Sequence, residues 1–316
     1  MTRSMTQSPS PPVLRLGTRG SRLALAQAEI VRAALAAEAG VACELVVLKT
    51  SGDRILDRSL ADLGGKGLFT KELEEALLGD KIDLAVHSMK DVPVGLPSDL
   101  GIGAVLPRED VRDAFLSRAA PSMAELPEGS RIGTSSVRRA AQIARLRSDL
   151  EIMPLRGNVD TRLTKLDSGA FDAMILAYAG LKRLELQHRA TCVLSADEWL
   201  PALSQGAIGI EIRQTDDYVA RAVAKVNDRA TEIAIGCERA FQTALGGSCH
   251  SSIAGLATFA QGKLAFHGEV LAPDGSDFVD ISFEADLTTH ALAESVAAGH
   301  AAGEALKPRV RAWLEP

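Results

Sequence analysis

The chain has 316 residues, 46% of them hydrophobic and 24% charged, a length that exceeds one ordinary core and predicts two or three globular domains. Its 35 Lys and Arg face 41 Asp and Glu, for a net charge of −6, and aromatics make up 4%; that balance argues against a nucleic-acid binder. No apolar run approaches the roughly 18 residues of a membrane span, and Met1 to Pro12 is a polar Ser/Pro stretch rather than a signal peptide, so a cytoplasmic protein without membrane contact is expected.

Residues 13–18 read as a short strand, followed by a helix from Ser21 to about Ala37 with apolar residues at helical spacing and a second strand over 41–48. The polar stretch 50–67, with Gly52, Gly64, Gly65 and Gly67, reads as a loop. A helix over 70–78 has Thr70 as its N-cap candidate, and a buried strand over 82–87 ends in the turn Ser88-Met89-Lys90-Asp91-Val92-Pro93. Strand, helix and strand in alternation predict a parallel α/β sheet. The pattern then restarts. Arg131-Ile132-Gly133-Thr134 repeats Arg15-Leu16-Gly17-Thr18, each leading into an Arg-bearing, Ala-rich helix, and Asp172 opens a strand as Asp83 opens the earlier one. Two domains of similar build sharing a cleft are the expected result, with Gly-flanked Ser204 to Glu211 as a return crossing to the first. From about residue 227 a helix, three alternating strands near 253–259, 263–271 and 278–285, and a closing helix from about 289 predict a small α+β domain with a three-stranded antiparallel sheet.

Arg131, Arg138, Arg139, Arg145, Arg147, Arg156, Arg162 and Lys165 crowd 131–165, against Asp149, Glu151 and Asp160. Several flank the turns Gly133-Thr134-Ser135-Ser136 and Arg156-Gly157-Asn158. Free N–H groups at a helix start beside Arg forks bind carboxylate or phosphate, which predicts a small polyanionic ligand. Arg138 and Arg139 oppose the helix dipole and call for a compensating anion. Lys90 and Asp91 lie at the carboxyl end of a buried strand, where open α/β sheets bind ligands. Asp91 there either caps its turn or serves as a carboxylate that binds N–H groups, stabilises a cation or moves a proton. Cys249 in Gly246-Gly247-Ser248-Cys249-His250 is either a small packed side chain or a modified or nucleophilic thiol. Cys43, Cys192 and Cys237 read as core packing, and no cysteine or histidine spacing fits a metal site.

These segments resemble the porphobilinogen deaminase (hydroxymethylbilane synthase) family: Leu63-Gly64-Gly65-Lys66-Gly67-Leu68-Phe69, Ala85 to Pro93, Gly133 to Arg139, Leu155 to Val159, Thr161-Arg162-Leu163, Ala179 to Leu184, Gln205-Gly206-Ala207 and the Gly-Gly-x-Cys turn. The match runs in order from Leu14 over nearly the whole chain. The resemblance implies two periplasmic-binding-protein-like α/β domains with mainly parallel sheets (1–106 with 207–224, and 112–200), plus a cofactor-bearing third domain (229–316). It implies a dipyrromethane joined by a thioether to Cys249, and head-to-tail condensation of four porphobilinogen molecules with loss of ammonia, then hydrolysis to hydroxymethylbilane. Asp91 matches the catalytic carboxylate. Arg19, Ser21, Lys90, Ser136, Arg138, Arg139, Arg156 and Arg162, with Thr134 and Ser135 of the same turn, match the carboxylate-binding set. Lys66 and Phe69 match a lid, and Ser88 and Gln205 lie nearby. A monomer is expected. Arg22 stands where the first helix often begins with Pro, Ser204 where Gly is frequent, Ser248 where many members have Gly and Ser251-Ser252 where a proline often follows, so a different local turn around Cys249 is expected. Two other uses of the same residues are a non-catalytic anion-binding domain and an enzyme with Cys249 as a transient nucleophile.

Overall fold

Strand β1 (Leu14–Arg19) pairs in parallel with β2 (Cys43–Leu48) and β3 (Leu84–Ser88), and turns Leu14 and Leu16 into the core beneath helix α1 (Arg22–Ala34). The computed structural model describes residues 12–50, 70–247 and 251–314. α1 begins where Ser21 Oγ accepts the Ala24 N–H at 3.2 Å, and its buried stripe of Ala28 and Val31 follows helical spacing. On the opposite sheet face α2 (Lys71–Leu78) packs Leu73, Ala76 and Leu77 against Ile82 and Ala85, with Glu72 and Glu74 at its positive end. β4 (Leu100–Val105) and β10 (Ile208–Arg213) complete the sheet in the order β2-β1-β3-β10-β4, with β10 antiparallel to both neighbours.

The second sheet repeats this plan. It contains β5 (Asp113–Ser117), β6 (Arg131–Gly133), β7 (Glu151–Met153), β8 (Ala173–Ala177) and β9 (Cys192–Val193) in the order β7-β6-β8-β5-β9, with β5 as the reversed strand. Helices α3 (Val137–Leu146), α4 (Val159–Asp167) and α5 (Tyr178–Arg183) accompany it. The sequence echo between the halves has a structural counterpart. The N–H of Arg15 meets Asp83 Oδ2 at 2.7 Å and that of Arg131 meets Asp172 Oδ2 at 2.8 Å, each Nε adding a second bond to the same carboxylate. In each sheet four strands run one way, so the expectation of mainly parallel sheets stands, and the reversed strand enters from the other domain. The chain crosses at 106–112 and again at 194–207. The crossings touch where the Glu109 N–H donates to Gly206 O at 3.2 Å. Gly206 has φ +88° and a Cβ there would stand 2.3 Å from Glu109 O, so glycine is required.

The sequence reading did not anticipate β4, β5, β9, α5 or α6 (Asp217–Ala224), whose Val219 and Val223 join the first core. The third unit follows expectation. α7 (Arg229–Leu245) and α8 (Ala291–Leu314) cover a meander of β11 (Ile253–Ala260), β12 (Lys263–Leu271) and β13 (Phe278–Asp286). Phe241 of α7 meets Phe266 of β12 edge-on at 5.0 Å between ring centroids. Among the described residues no helix is long and apolar enough to cross a membrane.

Candidate active site

The carboxyl end of β3 runs into a single 3-10 turn, Met89–Asp91. Met89 anchors it: its side chain is buried and its N–H donates to Ala207 O at 3.0 Å. From the third unit, Arg239 of α7 donates to Val92 O at 3.0 Å and Pro93 O at 2.7 Å. Below the turn the buried His87 Nε2 and Glu211 Oε2 lie 2.9 Å apart, while Ser88 Oγ pairs with Gln27. A turn held on three sides presents Asp91 at the surface. Among the described residues its carboxylate accepts no hydrogen bond from the turn, which leaves it available to a ligand.

Opposite stands the arginine-rich face, and its anchor is a residue the sequence reading missed. Asp113 is fully buried at the head of β5. Its Oδ1 accepts from Arg139 Nη2 at 2.7 Å and Gln205 Nε2 at 2.8 Å; its Oδ2 accepts from Arg138 Nη2 at 2.8 Å, Arg139 Nε at 3.1 Å and Trp199 Nε1 at 2.9 Å. Burial acts to raise the Asp113 pKa, but the charges of Arg139 and Arg138 outweigh it and hold the carboxyl well below its usual range. Asp113 is therefore an internal counter-ion for the two arginines at the start of α3. Removing one partner from such a buried set typically costs about 3–5 kcal/mol. A charged residue at the head of the apolar run Asp113-Ala114-Phe115-Leu116 was the available signal, since a buried charge needs partners.

Arg138 also reaches Gln142 Oε1 at 2.7 Å and Leu200 O at 2.8 Å, and Arg139 reaches Ile175 O at 3.0 Å. Both are buried, and Arg138 Nε has no partner among the described residues. Lys90 Nζ donates to Gln205 Oε1 at 3.1 Å, so Lys90, Gln205 and Asp113 form a line from the first domain to the second. Burial pushes the Lys90 ammonium down to about 8, helped by Arg139 and Arg138 and opposed by Asp91 and Asp113. Burial likewise pushes Arg162 down to about 10, with Arg139 and Arg156 adding to the effect and Asp91 opposing it. These mutual influences bring Lys90, Asp91, Arg138, Arg139, Arg156 and Arg162 into one electrostatic cluster. Arg183 of α5, which the sequence marks only as part of the segment Ala179 to Leu184, is pushed down to about 10 by burial and donates to Gly206 O at 2.5 Å.

The hydroxyls have local duties. Ser21 caps α1, and Ser136 caps α3 by accepting the Arg139 N–H at 3.4 Å. Ser135 Oγ bonds Leu155 O at 2.9 Å, and Thr134 Oγ1 accepts the Ser136 N–H at 3.2 Å. Asn158 caps α4. Gly157 precedes it with φ +106°, and a Cβ there would meet Thr161 at 2.7 Å, so the Arg156-Gly157-Asn158 turn needs its glycine. Three helices thus begin at the carboxyl ends of β1, β6 and β7, a placement suited to carboxylates. Arg162 Nε is held by Gly157 O at 2.8 Å, while the Arg156 guanidinium has no hydrogen-bond partner among the described residues. Arg19 closes β1 and makes its own contacts. Lys66, Phe69 and Cys249 lie outside the described residues. Of the other cysteines, burial pushes Cys43 up to about 11 and Cys237 up to about 12, and it raises Cys192 too, which keeps all three as thiols. Among the described residues no group of His, Cys, Asp or Glu is arranged to hold a metal ion.

Residues 14–221 match the family described as "Porphobilinogen deaminase, dipyromethane cofactor binding domain", and 233–308 match "Porphobilinogen deaminase, C-terminal domain". The chain belongs to the porphobilinogen deaminase family. The porphobilinogen deaminase of Paracoccus denitrificans is 50% identical over 279 residues, covering 87% of this chain and 89% of that protein. The chloroplastic porphobilinogen deaminase of Pisum sativum is 48% identical over 312 residues, covering 96% of this chain and 84% of that one. A nutrient binding protein from Burkholderia cenocepacia bound to methionine is similar at 12% identity with a TM-score of 0.43, over 68% of this chain and 91% of that one; at that level the two-domain description rests on the sheet topology instead. The residues present suit the dipyrromethane of the deaminase family. Lys90, Arg138, Arg139, Arg156 and Arg162 outnumber the anions Asp91 and Asp113, and among the described residues Arg138 Nε is an orphaned buried donor, as a polycarboxylate site requires.

Proposed function

We propose that this chain condenses four porphobilinogen molecules head to tail onto a dipyrromethane held by a thioether to Cys249, releasing ammonia each time, and then hydrolyses the product to hydroxymethylbilane. The observation that carries this reading is the exposed, uncommitted Asp91 facing a surplus of half-buried cations, in a chain of this family. When bound, the dipyrromethane supplies the pyrrole carbon to which the first substrate is joined.

Each porphobilinogen ring carries an acetate and a propionate. Arg139, Arg156, Arg162, Lys90 and the helix N-termini after Ser21 and Ser136 hold those carboxylates, with Arg19 beside them, and so fix the ring against Asp91. Loss of ammonia breaks the substrate's methylene C–N bond with the electron pair leaving on nitrogen. The resulting methylene-pyrrolenine cation and its pyrrole N–H lie against the Asp91 carboxylate, which stabilises positive charge as it develops. Asp91 would also accept the proton that the terminal pyrrole of a bound dipyrromethane chain loses when the substrate's methylene carbon is joined to it. The three described cysteines are unpaired, in keeping with a reducing cytoplasmic compartment. A monomer is part of the same proposal.

Turnover of porphobilinogen by the wild-type chain and by Asp91→Asn tests the reading. The substitution keeps shape and hydrogen-bonding capacity and removes the charge. A loss of at least ~100-fold in kcat, within the range of acid–base and electrostatic effects, with KM changed far less is expected. Near-normal turnover by Asp91→Asn removes Asp91 from its role.

A further inference from the structure

We infer that Asp113 is the positioning residue of the carboxylate-binding face: one buried carboxylate fixes the directions in which Arg139, Arg138 and, through Gln205, Lys90 present their charges to the substrate. The inference rests on the proposed function and names a residue that acts through others.

The geometry is convergent. Both oxygens of Asp113 are occupied by protein donors from α3, from Trp199 and from Gln205, and the residue is fully buried, so it has no route to a ligand of its own. With all protein acceptors counted, Arg138 keeps its Nε–H and one N–H on Nη2, and Arg139 keeps one N–H on each terminal nitrogen, for another partner. Two neighbouring buried guanidinium groups repel each other, and the anion between them sets their separation. The location adds a second consequence. Asp113 follows the first crossing segment, and Gln205, in the second, also donates to Val111 O at 2.8 Å. The Lys90–Gln205–Asp113 line therefore joins a cation on the first domain to the arginines of the second, across the two segments that connect the domains.

Asp113 also acts on Lys90 through its charge. The groups around that ammonium are Asp91 on its own turn, Arg138 and Arg139 from α3, and Asp113 from β5. Both acids favour the charged amine and both arginines oppose it. Neutralising Asp113 leaves Asp91 alone against the arginines, so Lys90 gives up its proton at lower pH.

The test uses the full-length, cofactor-loaded enzyme, comparing wild type with Asp113→Asn for kcat and KM toward porphobilinogen across the pH range. The variant is expected to raise KM about tenfold or more with a smaller change in kcat, and to move the alkaline limb of kcat/KM about one pH unit toward neutral. A merely structural carboxylate would lower stability without moving that limb. A folded, loaded Asp113→Asn enzyme with wild-type KM and an unmoved limb overturns the assignment. Where the single variant fails to fold, Asp113→Asn with Arg138→Gln removes a buried cation together with its anion. The double variant is expected to fold with KM still raised; wild-type KM, or failure of this variant to fold, also overturns the positioning role. Absence of turnover in the wild-type chain would instead defeat the proposed function, independently of Asp113.

Discussion

The ammonium of Lys90 sits 3.1 Å from Gln205 Oε1 among two acids and two arginines, and burial pushes its pKa down to about 8. Above that pH the cleft loses a positive charge, so KM for the dicarboxylate substrate is expected to rise between about pH 8 and the ordinary lysine value near 10.4. Lys90→Arg, whose guanidinium stays charged there, is expected to flatten the rise; an unaltered alkaline KM profile in that variant removes Lys90 from carboxylate binding. Stability responds with the opposite sign. Because the folded pKa lies below the unfolded one, the native state releases this proton first, and stability contributed by Lys90 rises with pH across the same window and falls as pH drops through 8. Asp91 was legible in the sequence because a polar pair ending a buried strand is a local pattern. Asp113 was not, because its partners lie 25, 26, 86 and 92 residues away. The dipole mismatch at Arg138 and Arg139 did announce an anion, and the structure supplies one from within the chain.

Among the elements, two departures from the family pattern, Ser204 and Ser252, have physical readings. Ser204, where glycine is frequent, has φ +60°, and its buried hydroxyl has no hydrogen-bond partner among the described residues. A left-handed non-glycine residue costs roughly 1–2 kcal/mol, from which the extra chain entropy of glycine, about 0.5–1 kcal/mol, is subtracted. Ser204→Gly is therefore expected to stabilise by about 0.5–1 kcal/mol, a rise of a few degrees at most in Tm by calorimetry; a lower Tm would show that the hydroxyl holds this crossing. Ser252 is also accounted for, since its Oγ donates to Leu271 O at 2.8 Å and ties the start of β11 to β12. Helices with clear periodicity were readable, as α1 and α7 illustrate, whereas Thr70, expected to cap α2, makes no side-chain cap hydrogen bond. β5 and β9 were not: a reversed strand and a two-residue strand owe their state to pairing with β8 and with each other, which no local window contains.

At the scale of the molecule, two like sheets face one cleft and the third unit braces the crossings between them. Arg108 joins both oxygens of the buried Glu238 on α7 at 2.7 and 3.0 Å and also donates to Gln205 O at 2.8 Å, while Arg239 holds the backbone beyond Asp91. Across the cleft, Arg22 at the start of α1 meets Asp160 of α4 at 3.1 Å, with both side chains about half exposed, so this bridge ties the domains by only roughly 0–1 kcal/mol. The two-domain plan was visible in the repeated Arg-x-Gly-Thr strands, and the return crossing to the first sheet in Gly-flanked Ser204 to Glu211, which β10 bears out; β5, the reversed strand of the second sheet, was not visible. The most direct measurement is the intact mass of the purified full-length chain beside its Cys249→Ser variant. The wild type is expected to exceed its sequence mass by two linked porphobilinogen-derived pyrrole units, an excess absent from Cys249→Ser. An unmodified mass in active, folded wild-type protein would contradict the covalent dipyrromethane on which the proposed chemistry depends.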